Sequence, residues 1–534
     1  MSFGFGFGFP KNYVAALFNT PASLFTTGVN GAWYDPSDWN TLFQDAAGTT
    51  PVTAVGQPVG LMLDKSKGLV LGPELVTNGD FSNGATGWAL VNTTVSSSQL
   101  VFSGAVGSTA TQSGIFSSGK NYKFTLDVAR TVGTIYVLAG GNVVLTRTVS
   151  GTVSFIATGV SAGSLQFLSN DFIGSVDNIS VREIPGNHAF NPSGNSANFP
   201  VLSARYNLLT KTEEIGGSAW PTKNGSFSLN AESGPTGSNT ATLITATDAD
   251  PYVYQSVTLS AAPHVFSVWV RGFGSSVGKS GTLRCGSNAS ALYQITANWQ
   301  LFTFAFTASA GTQNAGVEFP EGAAVGDQVY LWGADLRVAN DALNQPAYQR
   351  VNTATDYDTV GFKPYLSFNG VNQWLQTNSI DFTYGDKMFV SAGVRKLSDG
   401  TQVIVENSVN GVGNSSGTFG VLQTPNWLMA SYGTSLSSAG VSATAPITNI
   451  LSGIGNISGD QAILRVNGSQ VASSASDQGT GNFGNYPMFV GARAGTNLWF
   501  NGRLYQLVVV GKQASSGEIA STEAFVATKT GVTL

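Results

Sequence analysis

The sequence predicts an all-β protein: tandem antiparallel β-sandwiches behind an extended N-terminal segment. Three observations carry this. Charged residues make up 10% of the chain, against about 25% in ordinary soluble domains. Their place is taken by 65 glycines and by Ser, Thr and Asn, which favour turns and pleated surfaces over helix interiors. Short runs of alternating β-branched and aromatic residues recur between Gly/Ser-rich turns, whereas long runs of good helix formers are absent.

With 534 residues, 42% of them hydrophobic, the chain has material for three or four domains with ordinary cores. The net charge of −5 and the absence of any Lys/Arg cluster argue against nucleic acid as a partner, because phosphate binding needs cations. No window approaches 18 consecutive apolar residues, so no membrane insertion is expected. The start, MSFGFGFGFPKNY, lacks the charged region of a signal peptide. The single cysteine, Cys285, allows no intrachain disulfide and reads as a small buried strand residue.

Residues 1–72 form a Gly/Pro-punctuated leader. It holds the Gly-Phe repeat from Phe3 to Phe9, the stretch from Tyr13 to Phe25, and GAWYDPSDWNTLFQD from Gly31. SDWNTLFQD predicts one or two helical turns capped by Ser37 or Asp38. The leader has aromatics but cannot bury them alone, which predicts a foreign surface for them. Residues 73–185 then alternate in strand-like runs, from YKFTLDVAR (122–130) to a closing VDNISVRE (176–183). A linker, 186–205, follows. Residues 206–345 repeat the plan: ELVTNGDFSNGATGW, ending at Trp88, matches NLLTKTEEIGGSAW, ending at Trp220, and VYLWGADLRV (329–338) closes the second copy. After a linker at 346–360, residues 361–534 form a third sandwich. Its last segment predicts a helix, with a Ser515/Glu518 capping box and a Gly531 stop.

At these residues families can be recognised. NGDF…GW and DNISV resemble the jelly-roll carbohydrate-binding modules of the family four/nine type. NLLTKTE…W with YLWGADLRV resembles the second sandwich common in phage fibre and tail proteins. SFNGVNQWLQT, ILRVNGSQVA and FNGRLYQLVVVGK resemble a laminin-G, concanavalin A-like sandwich. The leader's WYDPSDWNTLFQDAAGTTPVTAVGQPVGLMLDKS resembles the start of phage and prophage virion proteins. The resemblance implies two jelly rolls and one concanavalin A-like sandwich behind a virion-anchoring segment, in a bacteriophage particle. It implies a tail fibre or receptor-binding fibre that touches host-surface polysaccharide or lipopolysaccharide. The N-terminus would hold other virion proteins, a homotrimer would close the fibre, and the C-terminal module would be outermost. A head fibre or capsid-decoration protein is the alternative, and a polysaccharide depolymerase a third reading.

No catalytic residues are expected. G-x-S-x-G occurs at Gly274–Gly278 and Gly413–Gly417, but not on a strand-to-helix elbow, and neither His188 nor His264 has metal or triad spacing. The E-x-D-x-x-E string of lectin-fold hydrolases is missing, so no carboxylate pair is placed for glycoside cleavage. No cofactor is expected beyond a structural Ca2+, for which the resemblance offers Asp177, with Asp80 and Asn78 behind it; the same residues suit strand-end turns. Trp88 and Trp220 read as core plugs, and Trp269, Trp299 and Trp332 as core by alternation. Trp374, Trp427 and Trp499 are the candidates for sugar contact, because a pyranose's apolar face stacks on an exposed ring.

Overall fold

A computed structural model describes residues 20–534. Six antiparallel sheets build three sandwiches, two with five- or six-stranded sheets and a large one with an eight- and a nine-stranded sheet. The all-β expectation holds, and the tandem sandwiches are present.

The large sandwich is assembled from distant parts of the chain. Its eight-stranded sheet contains Tyr365–Asn369, Lys387–Lys396, Ile447–Asn456 and Asn501–Val510, but also Gly31–Tyr34, which pairs with Asn501–Val510 from Gly31↔Val510 to Tyr34↔Leu507. Val201–Ser203 pairs with Tyr365–Asn369 on the same sheet. The nine-stranded sheet takes in Leu42–Phe43, Leu61–Met62 and Ala189–Phe190 beside Leu375–Asp381. The two jelly rolls are thus inserted into the large sandwich: the first leaves it after Leu61–Met62 and returns at Ala189–Phe190, the second leaves after Val201–Ser203 and returns at Tyr365–Asn369.

This corrects the expectation for the leader's aromatics. Tyr34 is fully buried and Trp33 nearly so, both against the chain's own C-terminal strands and helix. No foreign surface is needed, because the partner strands lie more than 450 residues further along. The Gly-Phe repeat Phe3–Phe9 and Tyr13 lie outside the described residues. The expected turn in SDWNTLFQD is a single 3-10 turn, Trp39–Thr41, with no side-chain cap. Asp38 instead meets Lys65 Nζ at 2.5 Å, and Ser37 Oγ donates to Asp35. Because the N-terminal strands sit in the same sandwich as residues 361–534, sequence order does not translate into distance along a fibre.

Each jelly roll is tied where it is inserted. At the first, Asp64 accepts from the backbone N–H of Trp33 (2.8 Å), Ser66 (2.8 Å) and Asn187 (2.7 Å), while its own N–H donates to His188 Nδ1 (3.0 Å). At the second, Gln349 Oε1 accepts from the N–H of Tyr206 and Asn207, and Asn207 Nδ2 donates to the carbonyls of Ala334 and Gln349. The C-terminal helix, Ser516–Thr530, has the predicted Ser515/Glu518 box, and Gly531 at φ 77° ends it. It lays Ile519 and Phe525 on Phe389, Val508 and Val510.

Candidate functional site

The second jelly roll presents a built surface on its six-stranded sheet. Strand Tyr252–Leu259 alternates, so Val253 points into the core while Tyr252, Tyr254 and Ser256 point out. Its neighbour Gly311–Glu321 places Glu318 opposite Tyr252, Gly316 opposite Tyr254 and Asn314 opposite Ser256. The third strand, Ser280–Cys285, adds Thr282 opposite Glu318 and Arg284 opposite Gly316. Gly316 decides the shape. A Cβ there would meet the Tyr252 ring at 2.8 Å and Tyr254 Cβ at 2.7 Å, so only glycine lets Tyr252 lie along the sheet, its hydroxyl donating to the Asn314 carbonyl at 3.2 Å. Tyr254 stacks beside it, centroids 5.0 Å apart and planes at 18°. Both rings are half-buried.

Polar groups line the edge of this platform. Arg284 Nε donates to Glu318, and Thr282 Oγ1 donates to the same carboxylate at 3.2 Å. Ser256 Oγ donates to Asn314 Oδ1 at 2.7 Å. Among the described residues this leaves both terminal nitrogens of Arg284, Glu318 Oε1, Asn314 Nδ2 and Gln313 Oε1 without a protein partner. They face an open cleft of about 470 Å3 lined by Tyr252, Arg284, Gly286, Thr312, Gln313, Asn314 and Glu318. Burial, together with Glu318 and Cys285, pushes the Tyr252 phenol far above its ordinary range, so it stays a neutral donor. An apolar ring face flanked by planar donors and acceptors suits a polyhydroxylated ring: stacking takes the C–H face while Arg, Glu and Asn take adjacent hydroxyls. Cys285, one residue on, points inward; it is buried, with its thiol raised to about 11.

The sequence reading passed over these tyrosines. The usable signal was Tyr-x-Tyr in a strand, which puts both rings on one face. The glycine that seats them comes from a strand some sixty residues away.

The expected sites fall elsewhere. Trp427 is fully buried, its Nε1 donating to Asn449 Oδ1 at 2.9 Å and Lys396 lying over its ring, so it offers a ligand no surface. Trp374 is half-buried, 6.1 Å from Phe489 and close over Gly495. Trp499 is half-buried with its Nε1 enclosed and unpaired among the described residues. Asn78, at φ 54°, spends its side chain on the backbone of Asn83, Gly84 and Thr86. Asp80 closes a turn through Ser82, and Asp177 bonds Gln99 and the N–H of Asn178. The loop of Asn78 and Asp80 does dock beside Asp177, through Ile179 N–H and the Gly79 carbonyl (2.9 Å). Among the described residues no group of three His, Cys, Asp or Glu is gathered as metal ligands. Trp88 and Trp220 are core plugs as expected. Trp332 is buried as expected, beneath Tyr348 at 4.8 Å, but it and its partner Trp269 lie on the outer face of the five-stranded sheet, outside the cluster between the sheets. Trp269 and Trp299 are only half-buried, with Arg271 reaching over Trp299.

No protein-family model matches the chain, and no curated protein sequence matches it. Solved structures do. The tandem CBM22 domains of Paenibacillus barcinonensis Xyn10C are 12% identical, covering 50% of this chain and 98% of their own, at a TM-score of 0.24. The CBM40 of a Ruminococcus gnavus sialidase, bound to α2,3-sialyllactose, is 18% identical over 26% of this chain and 83% of its own, at 0.23. The receptor-binding domain of a mosaic C/D botulinum neurotoxin is 12% identical over 35% of this chain and 51% of its own, at 0.25. The neighbours are carbohydrate-binding modules and toxin receptor-binding domains, too remote to bear on what this chain binds.

Proposed function

We propose that this protein is a non-enzymatic structural component of a bacteriophage virion, a tail or receptor-binding fibre that contacts host-surface glycan. Its weakly charged, hydroxyl-rich surface, its tandem sandwiches and the resemblance of its leader to virion proteins support that setting. The observation that carries the glycan reading is the tyrosine platform of Tyr252 and Tyr254 over Gly316, ringed by unpaired groups of Arg284, Glu318 and Asn314. Several copies on one particle would turn a weak single contact into firm attachment.

Titration calorimetry of the full chain against host capsular polysaccharide and lipopolysaccharide tests this. Binding is expected, with Tyr252→Ala and Arg284→Ala each weakening it at least tenfold. A tenfold loss corresponds to about 1.4 kcal/mol, within what one stacked ring or one bidentate cation supplies. Binding that survives both substitutions rejects this site. Release of reducing ends from the polysaccharide would reject the non-enzymatic reading. Labelling the protein on intact particles separates tail fibre from head decoration.

A further inference from the structure

Strands at the edges of sheets expose unpaired N–H and C=O groups, and folded proteins guard them with charge, proline, bulges, shortness or cover. Most edges here are guarded. Gly151–Val160 has a bulge and is capped where Ile156 N–H donates to the Ala47 carbonyl. Asn142–Arg147 carries a bulge and Arg147. Gly225–Glu232 carries a bulge and Glu232. Val201–Ser203 and Leu42–Phe43 are continued by bridges to Pro58 and Pro51. Leu436–Ser442 and Ser469–Ser474, the ends of the large sandwich's two sheets, lie against each other, with Ser437 Oγ bonded to Ser474 Oγ at 2.9 Å.

One long edge has none of these devices. Gln300–Thr307, sequence QLFTFAFT, ends the five-stranded sheet of the second jelly roll. It pairs without a break with Pro263–Phe273, from Pro263↔Thr307 to Val270↔Gln300. It has no charge, proline, glycine or bulge, and among the described residues no backbone bond reaches its other side. Its inward side is also unfinished. Phe302 and Phe304 point toward the core yet stay only half-buried, stacked on Tyr293 and Phe306 at the open side of the sandwich. Leu301 is exposed on the outward face.

We propose that this edge is the interface between two copies of this chain, joined strand to strand about a two-fold axis normal to the sheet. An antiparallel pair of identical strands is self-complementary, and such an axis keeps both sets of Phe302, Phe304 and Phe306 on one face. Each copy's half-covered rings then close over the other's. The absence of charge suits this occupant, since a charge close to the two-fold axis would face its own image across the seam. The product is a dimer with a ten-stranded sheet, in place of the homotrimer the sequence suggested.

Sedimentation velocity on the full chain is expected to give twice 55.4 kDa at micromolar concentration. The double variant Thr303→Lys/Ala305→Lys, which changes two exposed positions, is expected to run as the monomer while keeping the far-UV circular dichroism spectrum of the folded protein. Amides of residues 301–307 in the unaltered protein should exchange faster on dilution, a readout that stands even if the variant fails to fold. A monomer at all concentrations, a trimer, a dimer that survives both lysines, or exchange at 301–307 independent of concentration would each overturn the proposal.

Discussion

The two jelly rolls each hold a five-stranded sheet with the same strand order, yet they are spliced into the large sandwich by different chemistry. The order is Gly151–Val160, Lys120–Val132, Ile173–Glu183, Gln99–Ser103, Thr93–Ser96 in the first, matched by Gln300–Thr307, Pro263–Phe273, Gln328–Val338, Ala241–Ala246, Gly225–Glu232 in the second. At the first splice a carboxylate and an imidazole organise the backbone: Asp64 collects N–H groups from both crossing segments, and His188 accepts from Asp64's own N–H. At the second, the amides of Asn207 and Gln349 do that work, while the nearby carboxylate Asp335 is held by two bonds of 2.6 Å from Arg337. The second splice is then locked by a buried charge cluster. Asp341, just past the closing strand, lies 3.3 Å from Arg395 and 3.0 Å from Arg503 of the large sandwich. An amide needs no titration to keep its pattern, so pH acts on the backbone ties themselves at the first splice, whereas at the second it acts beside them, through Asp335, which accepts from the Gln349 N–H, and through His264 near the charge cluster.

The largest effect should come from breaking that balance. Asp341→Ala leaves Arg395, which is fully buried, and the nearly buried Arg503 without their carboxylate. Removing one partner of a buried ion cluster costs about 3–5 kcal/mol, because the remaining charge stays in a place that cannot solvate it. Urea unfolding should show that loss. A cost under about 1 kcal/mol would mean that water reaches the guanidinium groups and that the second splice rests on its amides alone.

The next effect isolates the first splice. Burial lowers His188 from 6.5 to about 4, so the fold keeps this imidazole neutral while the unfolded chain protonates it below about 6.5. The unfolded state therefore binds more protons between those values. The contribution is complete above pH 6.5 and is lost as pH falls toward 4, by up to about 3 kcal/mol. His264, also lowered by burial and by Arg395, acts with the same sign. Asp64, raised by burial, acts with the opposite sign, losing its contribution as pH rises through its folded value. Comparing the protein with His188→Asn cancels both: the stability difference should be greatest above pH 6.5 and shrink toward pH 4. A constant difference would show that the protonation of His188 does not differ between the folded and unfolded states.

What the sequence disclosed follows the range of the forces involved. The capping box at Ser515 and Glu518, the Gly531 stop and the paired tryptophans are written in local spacing, and each stands where that spacing put it. The leader's strands are two to four residues long, too short for a pattern to announce them, and Gly31–Tyr34 finds its partner only across most of the chain. Alternation within each strand assigns Trp269 and Trp332 to the core, but it cannot say which side of the sheet faces the core, because both sides carry apolar side chains. Trp427 illustrates the converse: its strand, Asn426–Tyr432, lies between two neighbours in the nine-stranded sheet, and its indole fills the main core. The tyrosine platform needed three strands in register before its glycine had any meaning.

The smallest effect tests how alike the two copies are at their most similar point. Trp88 and Trp220 occupy the same place in the repeat, and each closes its core beneath a Gly-rich turn. Trp88 retains 7% of its surface and donates one bond, to the Asn78 carbonyl at 3.2 Å. Trp220 retains none, and its Nε1–H is shared between the carbonyls of Thr210 (3.1 Å) and Lys211 (3.0 Å). None of these carbonyls is orphaned by a phenylalanine: Asn78 O still accepts from Phe81 N–H, Thr210 O from Gln255 Nε2, and Lys211 O from Glu214 N–H. The cost is then the donated bond, about 1 kcal/mol, plus the void left by the smaller ring, which a fully enclosed site relaxes around least. Trp220→Phe should therefore lose about 2 kcal/mol and Trp88→Phe about 1 kcal/mol in denaturant unfolding. The reverse order would show that the first copy's plug carries more of its module than burial implies, and that a shared sequence position does not set a shared energetic weight.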